Sequence, residues 1–191
     1  MIIGIDISQL AYQGTGVAGY LENLVKELIR LDKKNKYILF FSSFRNSLKA
    51  EILNLKSNRV VIRQFKFPPT LLDFFWNRLH ILPIESFIGD IDIFITSDWT
   101  EPPTKKAKKA TILYDLIIYK YPEETHAKTE FNPFKFIISP NIVKSQKRKL
   151  KWVKKESDAV FCISKSTIKD AREILGIEKA KLFTTYPGFN N

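Results

Sequence analysis

Gly14, Gly16 and Gly19 spell G-x-G-x-x-G, a spacing that brings backbone N–H groups up to a phosphate when it opens a helix. In a dinucleotide fingerprint the first glycine follows the first strand directly and an acid after the second strand holds the ribose. Here Gly14 lies seven residues beyond Ile7, and Ser42 and Ser43 follow the second apolar run. An NAD site is therefore disfavoured. What remains is a loop, Gly14-Thr15-Gly16, leading into an amphipathic segment whose free N–H groups and positive helix end suit a phosphate. The plain alternative is a flexible connection.

Tyr114 and Asp115 form a second polar pair, placed directly after an apolar run. A phenol has an unperturbed pKa of about 10, so Tyr114 is a hydrogen-bond donor and a poor base near neutral pH. Asp115 either orients a hydroxyl or caps a turn. His80 and His126 have no partner visible in sequence, and surface or packing roles are preferred for both. Cys162 is the only cysteine; it lies in an apolar run and reads as a packed core residue. No disulfide, cysteine-based zinc site or other metal centre is expected, and no cofactor.

Seven apolar runs must position these groups: Ile2 to Ile7, Tyr37 to Phe41, Val60 to Phe65, Ile91 to Ile95, Thr111 to Tyr114, Ala159 to Ile163 and Lys181 to Thr185. Most lack alternation, as in strands covered on both faces. Val17, Tyr20, Leu21, Leu24, Val25, Leu28 and Ile29 follow the i, i+3, i+4 series of a covering helix. Further helical patterns run from Asn46 to Leu55, Leu71 to Leu82, Phe134 to Lys155 and Ser166 to Leu175, with Gly176 placed for a helix C-terminus. The alternation predicts an α/β fold, a Rossmann-like doubly wound and mostly parallel sheet of seven strands. Loops at the C-terminal ends of such strands line the ligand crevice, and the proline-containing stretch from Thr96 to Lys109 is one of them.

The chain has 191 residues, 45% of them hydrophobic and 27% charged, which is ordinary for one globular domain. There is no signal-peptide pattern at the N-terminus and no apolar segment long enough to span a bilayer, so a soluble cytoplasmic protein is expected. The net charge of +11 is the main departure; it attracts nucleic acid, anionic lipid or phosphorylated ligands without choosing among them. Lys144 to Lys155 carries seven positive charges in twelve residues. Lys147, Arg148 and Lys151 are candidates for contact with an anionic membrane surface, against the alternative of a solvated helix face. Pro69 to Gly89 is aromatic-rich and is expected to be mainly buried, the alternative being an aromatic patch presented to lipid or to a second domain. No helix-turn-helix, zinc module or RNP motif accompanies the charge, and no nucleic-acid partner is expected.

Three segments carry a family resemblance. GIDISQLAYQGTGVAGYLENLVKEL (Gly4 to Leu28), LYDLIIYKYPEE (Leu113 to Glu124) and SDAVFCISKSTIKDAREILGIEKAKLFTTYPG (Ser157 to Gly188) resemble the N-terminal, acceptor-side domain of GT-B glycosyltransferases of retaining family 4. The resemblance implies that residues 1–185 form that domain and that 186–191 begin a linker to a donor-sugar domain. It implies a loop at Gly14, Thr15 and Gly16 that approaches a phosphate, with Ala18 where the pattern often has its second glycine.

Tyr114 stands where the family has a histidine near the transferred sugar, and Asp115 matches the family position; these two are the candidate catalytic residues. Asp98, Trp99 and Ser164 are the candidate acceptor-binding residues. The implied partners are a nucleotide-sugar donor, bound only with the second domain, and a glycan or lipid-linked acceptor at the inner membrane face. The family's E-x7-E pair of the donor domain has no counterpart here, so the chain alone is expected to be inactive. The alternatives are a non-catalytic ligand- or partner-binding module and, less favoured, a basic nucleic-acid-binding protein.

Overall fold

The computed structural model describes residues 1–97, 99–121 and 142–188. Seven strands, β1 (Ile2–Asp6), β2 (Lys36–Ser42), β3 (Val60–Phe65), β4 (Ile93–Thr96), β5 (Lys108–Leu113), β6 (Ala159–Cys162) and β7 (Leu182–Thr184), form one sheet in the order β3-β2-β1-β4-β5-β6-β7. Every pairing is parallel. The expected Rossmann-like doubly wound fold is present, and the sheet is wholly rather than mostly parallel. Parallel strands need crossovers on the sheet faces, which explains why the strands read as unbroken apolar runs.

Residues alternate between two apolar layers. Tyr37, Leu39 and Phe41 of β2 join Ile5, Ile7 and the buried side of α1 (Gly16–Leu31), while Phe40 of the same strand faces Trp76, Ile88 and Phe94. Beyond β5 the second layer continues through Leu113, Val160 and Cys162, covered by α6 (Ile142–Glu156) and α7 (Lys165–Glu173). Gly4 belongs to the crowded centre of β1: a Cβ there would lie 2.8 Å from Phe94 Cδ2 and 3.0 Å from Ile88 Cδ1.

The predicted helices differ from the observed ones where polar side chains capture the backbone. The Asn46 to Leu55 pattern shortens to α2 (Ala50–Leu53), because the Asn46 amide nitrogen donates to Ala11 O at 2.7 Å and its backbone N–H to Ser43 Oγ. The Leu71 to Leu82 pattern is α3 (Pro69–Leu72) running on as a π-helix (Asp73–Leu79). It is not mainly buried: Leu72, Asp73, Trp76 and Asn77 face inward, and Leu71, Phe74 and Leu79 are exposed. Two short helices, α4 (Glu85–Ile88) and α5 (Ile117–Lys120), and two 3-10 turns, Ser8–Ala11 and Lys179–Lys181, complete the described elements. Of the Phe134 to Lys155 pattern, residues 134–141 lie outside the described residues and the rest is α6.

Candidate functional site

Strand order reverses between β1 and β4, whose neighbours lie on opposite sides. Crossovers leave in opposite directions there, so a crevice opens outside the carboxyl ends of these strands. Five chain segments reach this edge, after β1, β4, β5, β6 and β7.

The loop after β1 ends at Thr15, which caps α1: its hydroxyl accepts from Ala18 N at 3.2 Å and donates to Tyr12 O at 3.0 Å. Gly14 has φ 81, a left-handed backbone that a side chain would strain. Gly14, Thr15 and Gly16 are all exposed, and a sixteen-residue helix directs its positive end toward them. The loop after β4 meets this one, since the rings of Tyr12 and Trp99 lie 6.2 Å apart at 42°. Asp98, the other acceptor-binding candidate in that loop, lies outside the described residues, as does His126.

Tyr114 is 8% exposed, with its hydroxyl 3.1 Å from Ser97 Oγ and its ring edge-on to Tyr20 of α1 at 5.6 Å. Its carbonyl accepts from Thr167 Oγ1 at 3.0 Å, and Thr167 N donates to Ser164 Oγ at 3.0 Å. Ser164 is thereby the N-cap of α7. Asp115 Oδ1 accepts from Ile117 N at 3.0 Å, so the turn-capping alternative describes its geometry, although the residue is exposed. Tyr20 also reaches Thr185, hydroxyl to hydroxyl at 3.1 Å. Segments around residues 20, 114, 164 and 185 are thus joined at one edge of the sheet.

Beneath the crevice lies a charged layer that spacing does not reveal. The ladder register places Asp6, Thr96 and Thr111 side by side on one sheet face. Thr96 Oγ1 is 2.6 Å from both Glu101 Oε2 and Thr111 Oγ1. Glu101 pairs with Lys109 at 3.2 Å, Lys109 with Glu156 at 2.9 Å, and Glu156 with His80 at 2.9 Å. Asn77 accepts from Glu101 N and donates to Trp99 O and Asp73, and Asp73 takes the Ser145 hydroxyl and Arg148. Lys149, only 2% exposed, donates to Ser97 O. These bonds hold the backbone of Ser97, Trp99 and Glu101 at the crevice.

Burial pushes the Asp6 carboxyl above its ordinary value, against bonds from Ser8 and the charge of Lys149, which act to lower it. Burial also acts to raise Glu156, but Lys109 and His80 prevail and hold it below the usual range. His80 stacks on Trp152 with centroids 3.6 Å apart, which gives it the packing role expected. On α6, Lys147 and Lys151 are exposed, while Arg148 is half-buried against Asp73. The charge run conceals Lys149, whose one available clue is its spacing of four from both Ser145 and Val153, which also face inward.

The crevice therefore offers helix N–H donors, an aromatic pair and hydroxyls on a rigid floor. Such a site suits a polar ligand with a phosphate and a flat apolar face. Among the described residues no three His, Cys, Asp or Glu side chains gather as a metal site, and no helix is long and apolar enough to cross a membrane. No protein-family model and no curated protein sequence matches the chain.

Proposed function

We propose that this chain is the acceptor-binding half of a nucleotide-sugar-dependent glycosyltransferase of the retaining GT-B type, acting in the cytoplasm on a glycan or lipid-linked glycan. One observation carries the proposal. The three segments that resemble the family, far apart in sequence, converge through Tyr20, Tyr114, Ser164 and Thr185 at the carboxyl edge of one parallel sheet. Residues that share a ligand must meet there, and residues that only cover a core need not. In this role the Gly14-Thr15-Gly16 loop faces a phosphate, Trp99 with Tyr12 presents an aromatic face to a sugar ring, and Tyr114 with Ser97 offers hydroxyls to the acceptor. The nucleotide sugar is held by a donor domain, and transfer takes place onto an acceptor hydroxyl between the two.

The test is an NMR titration of the chain with glycosides and phosphorylated glycans, beside a turnover assay with nucleotide sugars. Shifts confined to the crevice, with no transfer by this chain alone and transfer once a donor domain is joined to it, are expected. Rapid, specific transfer by the chain alone would overturn the division of labour. A second proposal, a non-catalytic binding module, is favoured by the near-complete burial of Tyr114 against Ser97. Crevice binding that persists without transfer after the donor domain is joined decides for it.

A further inference from the structure

We propose that the outer edge of β3 binds an extended acidic peptide segment of another protein, which adds a strand to the sheet. The positive charge of the chain is concentrated on that side. Residues 33–72, which include β2, α2 and β3, hold nine Lys and Arg and one acid, Glu51, and so carry +8 of the total of +11. β3 is the last strand there, and no described strand pairs with its outer side.

The ladder shows which backbone groups are left open. Tyr37 N donates to Arg59 O at 2.7 Å and Ser43 N to Phe65 O at 3.1 Å, with Leu39 opposite Ile62 and Phe41 opposite Gln64. The odd-numbered residues of β3 therefore turn their N–H and C=O groups to β2. Val60 exchanges both of its groups with Ser57, at 3.1 and 3.3 Å. Ile62 and Gln64 point theirs outward, and among the described residues none takes them. An extended peptide supplies the matching row of donors and acceptors.

The side chains along the edge select for acid. Alternation sends Val61 and Arg63 to one sheet face and Ile62 and Gln64 to the other. Arg63 is exposed opposite Phe40, Lys36 is exposed on the same face of β2, and Val61 lies between them, 37% exposed. The bond from Ser43 to Phe65 sets Phe44, 64% exposed, and the exposed Arg45 beside the carboxyl end of the edge. A carboxylate on the Arg63 face can be held by both arms of the guanidinium. On the other face an aliphatic side chain suits the flank of Ile62. The fitting segment alternates acidic and aliphatic residues.

Charge on an edge strand is also a guard against edge-to-edge association. The two roles agree, because a second copy of this chain paired about a two-fold axis would bring basic edge to basic edge. A nucleic acid can use the cations, but it carries no row of amides at strand spacing for Ile62 and Gln64.

The full chain is titrated into a fluorescein-labelled peptide of alternating glutamate and valine, read by anisotropy. A peptide of the same sequence with every amide N-methylated keeps the charges and cannot donate to the edge. Binding of the first is expected, weakened about tenfold or more by N-methylation, by Arg63→Glu and by Gln64→Pro. Gln64 N–H faces outward, so proline there spares the bonds to β2, and circular dichroism reports the fold. With the parent chain, amide NMR shifts at Ile62 and Gln64 are expected on adding the peptide. Absence of binding, equal binding of the N-methylated peptide, or shifts that omit Ile62 and Gln64 overturns the proposal. An oligothymidylate of equal charge that binds as tightly and shifts the same amides overturns it in favour of a nucleic acid. The edge shares no residue with the crevice, so failure here leaves the transferase proposal standing.

Discussion

Lys109 Nζ lies 3.2 Å from Glu101 Oε1, with the two side chains 3% and 0% exposed. Two charges so deeply withdrawn from water are retained only with good partners, and Thr96 and Glu156 supply the remaining bonds. Lys109→Met leaves the buried Glu101 carboxylate without its cation and Glu156 with His80 alone, and is expected to cost about 3–5 kcal/mol in urea unfolding. Lys109→Met with Glu101→Gln keeps an acceptor for Thr96 and should recover part of that loss. If the single variant loses under about 1 kcal/mol, water reaches this pair and the floor of the crevice is not sealed.

Asp6 should make stability depend on pH in the opposite sense to an ordinary paired carboxylate. Its folded pKa is raised by burial above 3.8, so the folded state holds the proton more tightly than the unfolded one. Stability contributed by the protonated carboxyl is complete below the ordinary value and is lost as pH rises through the raised one. Asp6→Asn keeps an acceptor for Ser8 N and never ionises. It is therefore expected to be more stable than the parent at neutral pH, with the difference closing as pH falls through the raised value and gone below about 3.8. A constant difference across the range would mean that Asp6 is solvated.

Gly4→Ala tests how tightly β1 is packed. The added methyl would meet Phe94 Cδ2 at 2.8 Å and Ile91 Cδ1 at 3.1 Å, in a layer closed by the π-helix. Overpacking of this kind costs about 1–3 kcal/mol, read as a lowered urea midpoint with an unchanged slope. An unchanged midpoint would show that the Phe94 ring yields.

Thr15→Ala removes the hydroxyl that accepts from Ala18 N and should cost about 1 kcal/mol, while Thr15→Ser should restore most of it. The same pair of variants bears on the ligand. Loss of phosphate-bearing ligands by Thr15→Ala beyond the loss of stability is expected from the transferase proposal, and equal affinities would make the loop a connection only.

Much of this architecture is legible in sequence because local patterns report it. All seven apolar runs are strands, and Gly176 takes φ 64 where a helix end requires it. The charged floor is not legible, since its bonds join residues whose separation carries no pattern: Lys109 to Glu156 spans 47 positions and Arg148 to Asp73 spans 75. Lys149 sits inside a run of surface lysines and Glu101 inside a polar, proline-rich loop, the two contexts that most strongly suggest solvent. The π-helix was hidden by its aromatic residues, which suggest burial all round and leave Asp73 and Asn77 looking like the polar remainder.

Tyr114 separates packing from ligand recognition. Its ring fills space against Tyr20, and its hydroxyl has Ser97 as a neighbour at 3.1 Å. Tyr114→Phe keeps the ring contact and removes one hydrogen bond, a loss of about 0.5–1.5 kcal/mol in stability. Acceptor affinity should fall further than that if the hydroxyl turns from Ser97 to the ligand, and a glycoside titration by NMR compares the two. Tyr114→His replaces the phenol by an imidazole and shortens the reach toward Ser97. A histidine variant that binds acceptor as the parent does, beside a phenylalanine variant that does not, would assign to position 114 a hydrogen-bond donor's role. Equal binding by all three leaves Tyr114 as packing for α1 and moves the acceptor contact to Trp99.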